Sequence, residues 1–462
     1  MLFQTWVFAG FFVLVYALYL GLAHKPQNLL LLVVSYVFYG WWDWRFLGLL
    51  WISTGVGYAS ALLMGRSSGG RRRAFLWISL CTDLGILAGF KYLNFFVGSA
   101  AALLQRAGFD AHPAVLGIAL PVGISFYTFQ SMSYTLDVYR ERVAPVRSLG
   151  DFALYIAYFP HMVAGPIVRA ERLLPQLQKP RTVTRESFES GLLLFGIGLA
   201  RKLAIADCLA RHVDNTFHND LAASSSLELL RGVLLFGLQI YNDFAGYSDM
   251  ARGLSRMMGI ELTVNFDAPY FATTITEFWR RWHISLSNWL RDYLYIPLGG
   301  NRGGEFRTYR NLLITMLLGG LWHGASWNFV IWGGIHGAAL AVHRLWSSRA
   351  ARPRIPAPLS WAMTMAVVFG AWVFFRAEDL GEVRAVLSGI LHWHGGHSLW
   401  WFVQPLAPVL LWLFLDRVAV HAGEPVISRW TWPARGLTYA TLALGITLLR
   451  SHHAVPFVYF QF

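Results

Sequence analysis

Apolar runs recur along almost the whole of this chain, and they constrain its fold more than any motif does. Inside lipid no water pairs with backbone N–H and C=O groups, so a spanning segment is a helix or part of a closed barrel. The runs fall at about residues 4–22, 28–41, 46–64, 74–98, 114–136, 151–165, 190–207, 226–244, 311–331, 332–345, 358–375, 400–416 and 436–450. They predict an all-α polytopic membrane protein. Only 14% of the residues are charged, against about a quarter in a soluble domain. No polar stretch is long enough to fold alone, so residues 1–462 read as a single integral-membrane domain. Several runs are shorter than the ~20 residues of a full crossing. Segments 28–41, 151–165 and 332–345 therefore predict tilted, re-entrant or half-helices. Irregular backbone at membrane depth survives only where protein or a wet cavity covers it, so a site inside the bundle is expected.

Net charge is +13. The Lys and Arg residues sit in short loops between apolar runs, as the positive-inside rule requires. No basic patch stands outside such a loop, which excludes a nucleic-acid reading. Arg66, Arg71, Arg72 and Arg73 make the clearest basic loop and place it in the cytoplasm. Three runs before it put the N-terminus outside, in the periplasm of a bacterial inner membrane. The opening residues 1–20 lack a basic n-region and a small-residue cleavage site, and read as a retained first span. Cys81 and Cys208 lie far apart among apolar residues and read as structural thiols.

Chemistry concentrates between Ile275 and Gly337. That stretch reads ITEFWRRWHISLSNWLRDYLYIPLGGNR, an apolar run, then GGLWHGASWNFVIWGGIHG. Ionisable groups at membrane depth are costly and point to function. His283 and His323 can carry acid–base chemistry near neutral pH. Arg280, Arg281 and Arg291 alternate with Trp279, Trp282, Trp289, Tyr293 and Tyr295. One reading is an interfacial amphipathic helix with its rings at head-group level. The other is a cationic tunnel wall that grips the phosphates of a cytosolic donor. The small residues Gly319, Gly320, Gly324, Ala325, Gly333, Gly334 and Gly337 predict close helix approach. On one continuous helix His323 and His336 would lie ~20 Å apart along the axis on different faces. His336 therefore reads as structural.

Three other stretches matter. Asp243 and Asp249, in YNDFAGYSD, do not share a helix face, and one is expected to pair with an arginine from Arg280–Arg291. PVGISFYTFQSMSYTLD (121–137) and FPHMVAGPIVR (159–169) read as broken helices lining a cavity, with His161 a weaker catalytic candidate. His392, His394 and His397 have a metal-like spacing but no nearby carboxylate or cysteine, so no metal is expected. The chain has no Walker loop, GxSxG elbow or CxxC pair.

These blocks carry a resemblance. NLLLLVVSYVFYGWW (28–42), LPVGISFYTFQSMSYTLDVYR (120–140), FPHMVAGPIVR, YNDFAGYSDMARGL, the Arg-Trp-His block around His283, the Leu-Trp-His-Gly block around His323, and FVYFQF (457–462) run in order through the chain. Together they resemble the membrane-bound O-acyltransferase family, and within it the branch that acetylates alginate-like exopolysaccharide. The resemblance implies a ring of membrane helices around a thin central tunnel. It implies that His323 is the essential histidine and His283 the second family position. It implies acetyl-CoA as donor and a periplasmic SGNH-type acetyltransferase as partner. His323 would act as general base on a hydroxyl or as a transient acyl carrier. The rival readings are a D-alanyl transferase fed by a carrier-protein thioester, and a transporter or flippase with the histidines as a proton relay. The absence of an internal repeat weighs against the transporter.

Overall fold

The computed structural model describes residues 1–112, 117, 119–218, 221, 224–348, 355–395, 405–421, 431–449 and 457–458. They form two compact units. Unit 1 comprises Met1–Val183 and Met258–Leu262, and unit 2 comprises Thr184–Met257 and Thr263–Phe462. Every regular element among the described residues is helical.

In unit 1 the helices are α1 (Trp6–Leu20), α2 (His24–Asp43), α3 (Leu47–Gly65), α4 (Gly69–Leu87), α5 (Leu93–Arg106), α6 (Ile124–Tyr139), α7 (Leu149–Ala157), α8 (Phe159–Met162) and α9 (Ala170–Gln178). Thr5 starts α1 by accepting from Phe8 N–H, and Ser148 starts α7 by accepting from Asp151 N–H; such caps satisfy donors a helix start leaves open. Residues His24–Gly65 and Gly69–Arg106 are each long and apolar enough to cross a membrane. The run expected at 114–136 differs: its helix starts only at Ile124, after Gly123 with φ +75°. A Cβ on Gly123 would sit 2.7 Å from the Met162 carbonyl oxygen, so the chain turns there where a side chain cannot fit. α7 and α8 are short and broken at Tyr158, as the Pro- and Gly-bearing sequence predicts. α6 is buried along nearly its whole length, and its Gln130 and Thr128 bond to backbone carbonyls.

In unit 2 α10 (Arg185–Ala200) passes through a wide π turn at Arg201–Ala206 into α11 (Asp207–His218). α12 (Ser226–Met257) follows, then the short α13 (Ile275–Arg281) and α14 (Ile284–Leu290). After them come α15 (Glu305–His323), α16 (Trp327–Ser347), α17 (Ala357–Arg376) and α18 (Leu380–Leu391), then helices Leu406–His421 and Trp432–Leu449. α17 is also long and apolar enough to cross a membrane.

Two pairs of glycines bring α10 and α12 into backbone contact. A Cβ on Gly191 would lie 2.7 Å from the Gly253 carbonyl oxygen, and one on Gly198 2.5 Å from that of Gly246. Such close approach is what small residues permit between membrane helices. The 32-residue α12 is ~48 Å long. It extends well past the run expected at 226–244.

The helix break near the histidines is not where the apolar runs place it. The apolar run 311–331 predicts one segment, but α15 stops at His323 and α16 starts at Trp327. Two local features cause this. Gly324 leaves the helix in extended conformation, and a Cβ there would lie 2.2 Å from the Phe329 ring. Ser326 then starts α16 by accepting from Asn328 N–H at 3.2 Å. The expected glycine packing does occur between these two helices: Cβ atoms on Gly320 and Gly333 would each lie 2.1 Å from a backbone oxygen of the opposite helix.

Candidate active site

The residues around His283 form no single amphipathic helix. Thr274 opens α13 by accepting from Glu277 N–H, and α13 closes when Trp282 N–H donates to Phe278 O at 2.7 Å. His283 then adopts φ +42°, ψ +56°, the left-handed region, and α14 begins. A non-glycine residue held there costs about 1–3 kcal/mol and survives where its surroundings over-determine it. Asn265 supplies much of that determination. Its carbonyl oxygen accepts from Ile284 N–H at 2.9 Å, and its Oδ1 accepts from Ser285 N–H at 3.1 Å and Ser285 Oγ at 2.8 Å.

The bend turns aromatic rings into the protein interior. Trp282 and His283 are both fully buried. The His283 ring meets Phe244 edge-on at 4.6 Å between centroids, with Phe266 at 6.3 Å and Trp322 at 5.9 Å. His323, the last residue of α15, is also buried. Its ring lies 5.0 Å from Trp322, 5.0 Å from Trp332 and 5.3 Å from Phe375. The two imidazoles come together, with ring centroids 6.3 Å apart. Residues forty positions apart in sequence thus place two titratable rings side by side.

His336 packs on the same Trp332, at 4.8 Å. The break at residues 324–326 overturns the continuous-helix argument that set His323 and His336 far apart. Trp279 Nε1–H donates to His336 Nδ1 at 3.3 Å, which gives that ring a packing and hydrogen-bonding role. His161 lies in unit 1, buried, where its Nε2–H donates to Gln130 Oε1 at 2.9 Å. His392 and His394 bond the backbone carbonyls of Ser388 and Ser224, while His397 lies outside the described residues. Among the described residues no cluster of three or more His, Cys, Asp or Glu is arranged to hold a metal.

The arginines of this segment keep to its outer side. Arg280 is exposed. Arg281 pairs with Glu277 at 2.8 Å, and Arg291 pairs with its neighbour Asp292 at 2.6 Å. Neither reaches Asp243 or Asp249, contrary to expectation. Those carboxylates pair instead with Lys202, Arg201 and Arg252. Lys202 Nζ lies 2.8 Å from both Asp243 and Asp207. Arg201 pairs with Asp416 at 2.9 Å and with Asp249 at 3.4 Å, and Arg252 adds a bond to Asp249 at 3.3 Å. Tyr241 O–H donates to Asp416 at 2.6 Å. The signal was present in the sequence: Arg201 and Lys202 stand adjacent inside an apolar run, where cations need partners. A cavity of about 340 Å³ reaches this network; Phe266 and Ile284, on its wall, border His283 in space and in sequence.

Comparison with known proteins adds a second line of argument. The description of the membrane-bound O-acyltransferase family, MBOAT, matches residues 38–378. The chain is 47% identical to the probable alginate O-acetylase AlgI of Azotobacter vinelandii, over 82% of this chain and 76% of that protein. It is 41% identical to the probable alginate O-acetylase AlgI of Pseudomonas putida, over 100% of both. It is 38% identical to the peptidoglycan O-acetyltransferase of Helicobacter pylori, over 84% and 77% of the two chains.

Proposed function

The chain belongs to the membrane-bound O-acyltransferase family, and from that premise we propose that it passes acetyl groups from cytosolic acetyl-CoA across the membrane for O-acetylation of an extracytoplasmic, alginate-like polysaccharide. It is a membrane-bound O-acyltransferase, similar to O-acetylases over most of its length. The observation that carries the proposal is the approach of His283 and His323 within an aromatic interior. Two titratable rings brought together by distant segments are costly to bury without a task.

In this reading the acceptor oxygen attacks the carbonyl carbon of the donor thioester while neutral His323 takes the hydroxyl proton. The C–S bond breaks, the sulfur receives that proton, and an O-acetyl ester and free thiol leave. In the acyl-carrier form an imidazole nitrogen of His323 attacks the thioester carbon, the C–S bond breaks and the free thiol leaves with the ring N–H proton; the acceptor oxygen then attacks the acetyl carbon, the N–C bond breaks and the ring takes up the hydroxyl proton. His283 orients or assists. Arg280, Arg281 and Arg291, on the outer side of their segment, receive the donor's phosphates. The polymer itself is reached through a periplasmic SGNH-type acetyltransferase, and the basic loop Arg66–Arg73 faces the cytoplasm.

The test is thiol release and label transfer from radiolabelled acetyl-CoA by the purified protein with its partner in nanodiscs. His323→Ala should abolish transfer while leaving the protein folded, and His283→Ala should lose much of it. Wild-type transfer by His323→Ala would overturn the site. Strict dependence on an acylated carrier protein would overturn the donor and favour a D-alanyl-type enzyme.

A further inference from the structure

We propose that Phe457 and Val458 form a positioning element for His283, seated on α12 by a buried ion pair; this rests on the reading of His283 and His323 as the acyl-transfer pair. Val458 N–H donates to Asp243 Oδ2 at 2.6 Å. The other oxygen of Asp243 meets Lys202 Nζ at 2.8 Å, and Lys202 is held in turn by Asp207 at 2.8 Å. Asp243, Lys202, Phe457 and Val458 are all buried. A carboxylate that grips a backbone N–H fixes the place of a segment independently of its side chain. Phe457 is then set against Tyr247 at 5.2 Å and Phe244 at 5.9 Å. Phe244 follows Asp243 directly and meets the His283 ring edge-on at 4.6 Å. The ion pair and the ring contact therefore act on one turn of α12, and that turn touches the histidine. Left-handed backbone fixes where His283 starts, but its ring direction is set by what packs around it.

The experiment compares Val458→Ala, Val458→Pro and Phe457→Leu with wild type, as full-length protein in nanodiscs. Rates are normalised to folded, monodisperse protein. Val458→Ala keeps the donated N–H, whereas Val458→Pro removes it. Val458→Ala should behave as wild type. Val458→Pro and Phe457→Leu should lower kcat about tenfold or more with KM for acetyl-CoA unchanged, because small misplacements of a reacting group act on kcat. A normalised kcat equal to wild type in both variants would overturn the proposal, as would a loss that disappears on normalisation. An inactive His323→Ala beside a fully active Val458→Pro would sink this proposal alone. An active His323→Ala would sink the reading it rests on.

Discussion

Gly320→Ala should disable the enzyme without touching any group that handles a proton. A Cβ at Gly320 would lie 2.1 Å from the Phe329 carbonyl oxygen, 3.0 Å from its carbon and 3.2 Å from Gly333 Cα. All three are backbone atoms and cannot rotate away. Ordinary van der Waals contact begins near 3.4 Å, so α15 and α16 must part by about 1 Å in a closely packed interior. Overpacking of this kind typically costs about 1–3 kcal/mol. The catalytic effect should be larger than the stability effect. His323 lies three residues on, at the end of α15, and its ring is set by Trp332 of α16 and Phe375 of α17. Moving α15 off α16 shifts that ring by a similar distance, and a 1 Å misplacement can cost about 10²-fold in rate. Thermal melting by fluorescence-detected size exclusion would report the first effect, and thiol release from acetyl-CoA the second. Gly334→Ala is the control: its Cβ would meet only Leu317 Cδ2 at 3.4 Å, and it should retain near-normal turnover. Full activity and an unchanged melting temperature in Gly320→Ala would refute the reasoning.

Lys202→Met should strip two buried carboxylates of their cation and destabilise the protein by about 3–5 kcal/mol, read as loss of monodisperse protein in detergent. Asn265→Ala removes the acceptor for Ser285 N–H and Oγ; it should cost about 1–3 kcal/mol and lower kcat, and wild-type kcat would show that Asn265 does not hold the His283 bend. Arg281→Ala loses a partly exposed pair with Glu277 and a long bond to the Asp267 carbonyl, so its melting temperature should stay near wild type while KM for acetyl-CoA rises. An unchanged KM would remove Arg281 from the donor site.

Helical class and membrane character could be read directly, because apolar runs of that length admit little else. Close packing at Gly320 and Gly333 was legible from small residues beside His323. The position of the break was not. It depends on a Cβ-free contact between Gly324 and a ring five residues away and on a cap at Ser326, and neither changes the local hydropathy. The inward turn at His283 was hidden for a similar reason: a single left-handed residue leaves no periodic trace. With that turn absent, Trp279, Trp282 and Trp289 look like an interfacial girdle instead of a core. The partners of Asp243 and Asp249 were not legible because Arg201 and Lys202 lie some forty residues before them, in a π turn that no hydropathy pattern marks. Asp416, which completes that network, lies more than two hundred residues from Arg201.

That separation bears on how the chain is made. Arg201 and Lys202 leave the ribosome well before Asp243 and Asp249, and long before Asp416. Lys202 meets Asp207 only five residues further along the chain, but until Asp249 and Asp416 arrive Arg201, just past α10, lacks its native counter-charges, and hydrocarbon is a poor place for a lone cation to wait. α12, which brings Asp243 and Asp249, also brings the Gly246 contact to Gly198, so charge pairing and helix packing are completed by the same element.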